Sequence, residues 1–132
     1  ILLVIVGATI GKSAVVKDIE PPLVTNQALA RIRIHETVDL LPDFLQAFLS
    51  SPAGQIQISA LKRPVAQGNL SLTETGQILV PVVPLNQQEK VISRIHAYRS
   101  EAKRLRNEAE AVVASAKARV ERMILGEEVS DG

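Results

Sequence analysis

A chain of 132 residues, 46% apolar and with a formal net charge of +1, is long enough for one domain with a buried core plus an extension. With no cysteine, disulfides and thiolate metal sites are excluded, and a reducing, cytoplasmic setting is expected. No apolar run is long enough to span a bilayer or to serve as a leader, which points away from the membrane.

Residues 1–6 form a continuous aliphatic run and predict a buried strand. The chain opens inside that strand without a Met, which reads as a piece cut from a longer protein. The Gly7-Ala8-Thr9-Ile10-Gly11-Lys12 turn follows, and residues 13–17 return as a second strand, giving a hairpin. Pro21-Pro22 marks a loop. Leu29, Ile32 and Ile34 against Arg31 and Arg33 predict a strand over 28–34. Pro42 suits the first turn of a short helix over 43–49, and Ser51-Pro52 opens another over 53–61. Ser71-Leu72-Thr73-Glu74 has the capping-box spacing of a single helical turn. Residues 77–83 are β-branched and predict a strand, which Pro81 confines to an edge or a bulge.

The last third is dominated by one helix. Asn86 is the expected N-cap, with Glu89 reaching back to it, and Gly126 the expected stop. About 40 residues lie between, on the order of 60 Å of helix without an internal glycine or proline. A heptad register places Val91, Tyr98, Leu105, Val112 and Arg119 at a and Ile95, Ala102, Ala109, Ala116 and Met123 at d. The alanines allow a close, antiparallel approach of a second helix. The chain therefore reads as α+β: a small mixed-sheet or hairpin body with short helices over 1–84, a long coiled-coil helix over 85–126, and an acidic tail over 127–132.

Charge is unevenly spread. Residues 1–85 carry six basic and six acidic side chains, whereas 86–126 carry nine basic and five acidic. Since phosphate neutralisation supplies most non-specific nucleic-acid affinity, the helix is the electropositive part and the body is neutral. Three pairs on the helix have i,i+4 spacing: Arg104 with Glu108, Arg106 with Glu110, and Lys117 with Glu121.

The chemistry-bearing motifs mostly fail on spacing. Gly7 to Ser13 ends in Gly-Lys-Ser, yet only three residues separate its glycines, and β-like Ala14-Val15-Val16 follows where a phosphate loop needs four residues and a helix. His35 and His96 are isolated, and no carboxylate pair is placed for acid–base work. Pro21-Pro22 is flanked by Glu20 and Leu23, unlike the Asn/Asp-Pro-Pro-aromatic motif of adenine methylation. No catalytic residue, metal site or cofactor is expected. The polar groups suited to DNA are Thr9 and Lys12 in the hairpin turn and Lys62, Arg63, Gln67 and Asn69 in the following loop: cations for phosphates, amides for adenine edges.

Four strings occur in order: Val6-Gly7-Ala8-Thr9-Ile10-Gly11-Lys12, Thr25-Asn26-Gln27-Ala28-Leu29-Ala30-Arg31-Ile32, Gln67-Gly68-Asn69-Leu70-Ser71-Leu72, and Val83-Pro84-Leu85-Asn86-Gln87-Gln88-Glu89-Lys90-Val91-Ile92. Together they resemble the C-terminal part of a target-recognition domain, with its long helix, in type I restriction–modification specificity (S) subunits. The resemblance implies a non-catalytic subunit that recognises a half-site of double-stranded DNA. It implies helices paired antiparallel as a spacer, with methyltransferase (modification) subunits and a restriction subunit as partners. With one helix per chain, a homodimer through the helix is expected. Two alternatives stand beside it: the recognition part of a single-chain adenine-N6 methyltransferase or restriction enzyme, and a dimerisation module indifferent to DNA.

Overall fold

The computed structural model of the protein describes residues 1–17, 20, 24–62 and 68–126. The architecture is α+β, with a small antiparallel sheet, short helices and one long C-terminal helix. In chain order these are β1 (Leu2–Val4), β2 (Ser13–Ala14), β3 (Leu29–Arg31), α1 (Pro42–Ser50), α2 (Pro52–Leu61), α3 (Leu72–Thr75) and α4 (Leu85–Ile124). The sheet order is β2-β1-β3, with Leu2 opposite Ala14 on one side and Arg31 on the other. Both pairings are antiparallel, so the sheet is not mixed.

The strands are shorter than the apolar runs that encode them. Val6 leaves β1 and bridges to Asn69 instead. Residues 77–83 form no strand: the Leu79 amide donates to Gln57 Oε1 at 2.8 Å, and Gln57 Nε2 donates to the Leu79 carbonyl at 3.0 Å. A side-chain amide from α2 thus takes the backbone groups that a neighbouring strand would have used.

Leu3, Ile5, Ile10, Ala30, Leu45, Leu49, Ile58 and Leu70 form the core, as aliphatic as the composition requires. It closes because α1 and α2 meet at Gly54. A Cβ there would lie 2.3 Å from the Phe48 carbonyl oxygen and 2.9 Å from Leu49 Cα, both backbone atoms. Ser51 caps α2 by accepting from the Gly54 amide at 3.3 Å. The capping box at Ser71 and Glu74 is formed in both directions, at 3.2 and 2.7 Å.

The long helix starts differently from the sequence expectation. The Pro84 carbonyl accepts from the Gln87 and Gln88 amides at 2.9 and 3.1 Å, so Pro84 stands at the N-cap and Asn86 lies within the first turn. A proline there fixes φ and places no donor at the helix entry. The far end follows expectation: Gly126 takes φ +75° just beyond Ile124.

Two compact units result. The first is Ile1–Ile92, which includes the opening turns of α4, and the second begins at Ser93. The side chain that ties those turns into the first unit is Gln88, which is fully buried. Its Nε2 donates to the carbonyls of Asp39 (2.8 Å) and Val83 (2.6 Å), and its Oε1 accepts from the amide of Leu41 (2.8 Å), the N-cap residue of α1. Burying an amide is costly unless its donors and acceptor are met, and here all are.

Candidate functional site

The β1–β2 turn is built by two glycines with positive φ, Gly7 (+97°) and Gly11 (+92°). The Gly11 amide donates to the Val4 carbonyl at 3.0 Å, and the Lys12 amide to the Thr9 carbonyl at 3.1 Å. Gly11 is fixed from outside as well: Gln55 Nε2 donates to its carbonyl at 3.0 Å and to the Leu49 carbonyl at 2.6 Å. A Cβ on Gly11 would meet Gln55 Oε1 at 2.8 Å. A strand, not a helix, follows the Gly-Lys-Ser, so the turn lacks the helix N-terminus that a nucleotide loop uses. Thr9 and Lys12 are exposed on this turn.

The loop residues divide. Lys62 ends α2 with extended backbone and is half-buried, while Arg63 and Gln67 lie outside the described residues. Asn69 is exposed and bridges to Val6, and beside it the Leu70 amide donates to the Ile5 carbonyl at 2.9 Å. Asn69 does not cap the turn after it, because Ser71 does. The turn and this segment lie side by side: a Cβ on Gly68 would fall 3.3 Å from Ile10 Cδ1. Thr9, Lys12 and Asn69 therefore belong to adjoining loops at one end of the sheet, whereas Lys62 stands apart from them at the end of α2.

The same end holds a feature absent from the sequence-based site. Asn26 and Gln27 line one open cleft of about 740 Å³ with Val6, Asn69 and Ser71. Asn26 makes the local turn, accepting from the Ala28 amide on Oδ1 (3.1 Å) and from the Leu29 amide on its carbonyl (3.2 Å). That leaves the exposed Gln27 and Asn69 amides on a shared cleft, each offering a donor and an acceptor to a base edge. Their presence in two of the four strings was the available signal, but nothing in the sequence said the strings meet. Among the cations of the first unit, Lys17 is engaged with Asp43 at 3.0 Å.

On α4 the residues expected to form a seam are mostly exposed: Val91, Tyr98, Leu105, Val112 and Met123, with Tyr98 and Val112 at 69% each, and Ala102, Ala109 and Ala116; Ile95 is half-buried. In a heptad, a precedes d by three residues and d precedes the next a by four. The four-residue steps from Val91 to Ile95 and from Tyr98 to Ala102 therefore put the Val91 series at d and the alanine series at a, the reverse of the register first assigned. Arg104 is held between two carboxylates, donating from Nε to Glu101 Oε2 (2.9 Å), from one terminal nitrogen to Glu101 Oε1 (2.6 Å) and from the other to Glu108 Oε1. The Arg104 hydrogen bonds hold the Glu101 carboxyl below the usual carboxylate range, and Glu101 and then Glu108 raise the guanidinium in turn. Among the described residues, the Arg106–Glu110 and Lys117–Glu121 spacings form no ion pair.

His35 bonds locally to Thr37 Oγ1 at 2.9 Å and His96 is exposed on α4. Among the described residues no group of His, Cys, Asp or Glu is placed to hold a metal ion, and no helix is long and apolar enough to cross a membrane. No family model, curated protein or solved structure matches the chain.

Proposed function

We propose that the chain is a non-catalytic DNA-specificity element of a type I restriction–modification complex, in which the sheet end contacts a DNA half-site and α4 pairs antiparallel with a second helix. The observation that carries this reading is the meeting of three sequence strings at one place. Val6 bridges to Asn69, the Ile5 amide donates to the Ala28 carbonyl at 2.9 Å, and Asn26, Gln27, Asn69 and Ser71 line a common cleft. Strings that carry a family resemblance separately in sequence have more weight when they share a site. The apolar stripe of α4 fits the second half of the reading, because a helix that long with no buried residue beyond its first turns has a face for a partner. Methyltransferase and restriction subunits are the further partners this role requires.

Binding of the whole chain to duplex DNA, titrated at two salt concentrations, tests the DNA half. Each lost phosphate contact lowers the slope of log K against log salt by about 0.9. Lys12→Ala, and Lys62→Ala with Arg63→Ala, are each expected to flatten it. Affinity and slope that stay unchanged in both variants remove these cations from the interface.

The reading as a DNA-independent dimerisation module has one observation in its favour: the positive excess lies on residues 86–126, none of which lines the cleft. Absence of any gel shift at low salt, together with a stable dimer, would decide for it.

A further inference from the structure

β3 is an edge strand. Its pairing with β1 uses alternate residues: Ala28 accepts from Ile5 at 2.9 Å, Ala30 stands opposite Leu3, and the Ile32 amide donates to the Ile1 carbonyl at 2.8 Å. In an antiparallel pair the intervening residues turn their backbone groups the other way. Leu29 and Arg31, the residues between those contacts, thus face outward, and among the described residues only the Leu29 amide of this edge has a backbone partner outside the sheet, the Asn26 carbonyl at 3.2 Å.

Beside this edge runs a groove of about 450 Å³ lined by Ile32, Leu45, Leu49, Ile78 and Val80 together with two arginines. Residues 77–83, which form its far wall, do not close it because Gln57 holds both backbone groups of Leu79. Arg31, at the end of the strand, and Arg33, two residues on, are exposed, line the same groove, and have no ion pair among the described residues.

We propose that the β3 edge receives an extended segment of a partner protein in which apolar and acidic residues alternate. The outward Leu29 carbonyl and the outward amide and carbonyl of Arg31 supply the ladder. Inward aliphatic side chains of the segment enter the groove, and its outward carboxylates stand beside the two guanidinium groups as cross-strand pairs. A second copy of this chain is the poorer occupant, since β3 against β3 sets arginine near arginine. Phosphate would satisfy the arginines but leave the apolar groove and the strand edge unused.

The test is fluorescence polarisation of the full chain with a labelled peptide of alternating Val and Glu. Saturable binding with Kd below about 1 mM is expected. N-methylation of the alternate amides along one peptide edge is expected to weaken it about tenfold, because only one edge can join the ladder. Replacing Glu by Lys in the peptide is expected to weaken it several-fold, and Arg31→Glu with Arg33→Glu to reverse that preference, with far-UV circular dichroism as the folding control. No saturation, or indifference to N-methylation at both edges, overturns the proposal. So does displacement of the peptide by a short DNA duplex, which would assign the arginines to phosphate. Self-association abolished by Arg31→Glu would assign the edge to a second copy and equally overturn it.

Discussion

Within residues 1–92, Leu3, Ile58, Leu70 and Gln88 are wholly shielded from solvent, whereas from Ser93 to Gly126 no residue is buried at all except for a half-buried Ile95. The two regions draw on different sources of order. The first unit surrounds an aliphatic core and settles its buried amide internally. The second is helix by propensity, since Ala, Glu, Arg and Lys dominate it, and its apolar stripe is exposed. A core residue therefore reports on the chain alone, and a stripe residue reports on whatever pairs with it.

The sharpest break should come at Ile58, the α2 residue fully buried in the aliphatic core. Ile58→Ala removes its packing from the core and is expected to cost about 2–5 kcal/mol. Urea unfolding followed by a probe in the first unit measures it. An equal loss of helix signal from 93–124 at the same urea concentration would mean that the two units unfold together rather than separately.

Next is Gln88. Gln88→Leu keeps the volume roughly but leaves the Leu41 amide and the Asp39 and Val83 carbonyls without their partner, a cost on the order of 3 kcal/mol. Asn86→Ala supplies the contrast: a true N-cap would lose about 1 kcal/mol, whereas a first-turn position is expected to lose almost nothing. If Asn86→Ala proves the more damaging, the helix entry has been misassigned.

That contrast also marks how far the sequence could be read. Features set by neighbours in the chain were legible: the Ser51 cap and Ser71 capping box, the Gly7–Gly11 turn, the length of α4 and its stop at Gly126. Features set by side-chain amides reaching distant backbone were not. Gln88 looked like one more polar residue at a helix start, and Gln57 gave no sign that it would hold Leu79 and so prevent a strand over 77–83. The candidate site shows the same limit. Thr9, Lys12 and Asn69 were identifiable by type and by turn position, but the place of Gln27 beside Asn69 depends on β1 joining two segments some forty residues apart in the chain.

On the stripe, Ala109→Glu should leave the urea midpoint of the first unit unchanged, because Ala109 is exposed and far along α4. If the stripe is a helix–helix interface, the same change sets an unpaired charge within it and weakens association by at least about tenfold. Light scattering coupled to size-exclusion chromatography reads both states. A wild-type chain that remains monomeric at high concentration would leave the stripe to a different protein and remove the homodimer from the proposal.

The smallest effect concerns Glu101 and Arg104, whose hydrogen bonds lie wholly on the solvent-exposed helix. The Glu101 carboxyl is held below its ordinary range by Arg104, so the folded helix favours the ionised form. A depressed carboxylate contributes stability that is complete above its unfolded value and is lost as the pH falls through the lowered folded value. Helix content measured by circular dichroism should therefore fall slightly on acidification below the carboxylate range, and by less in Glu101→Gln, which has no carboxylate to protonate. High salt should shrink the difference, because the pair is exposed and screened. If Glu101→Gln follows the wild-type acid profile at low salt, Glu108 alone holds Arg104, and the three-residue pair adds nothing to the order of the helix.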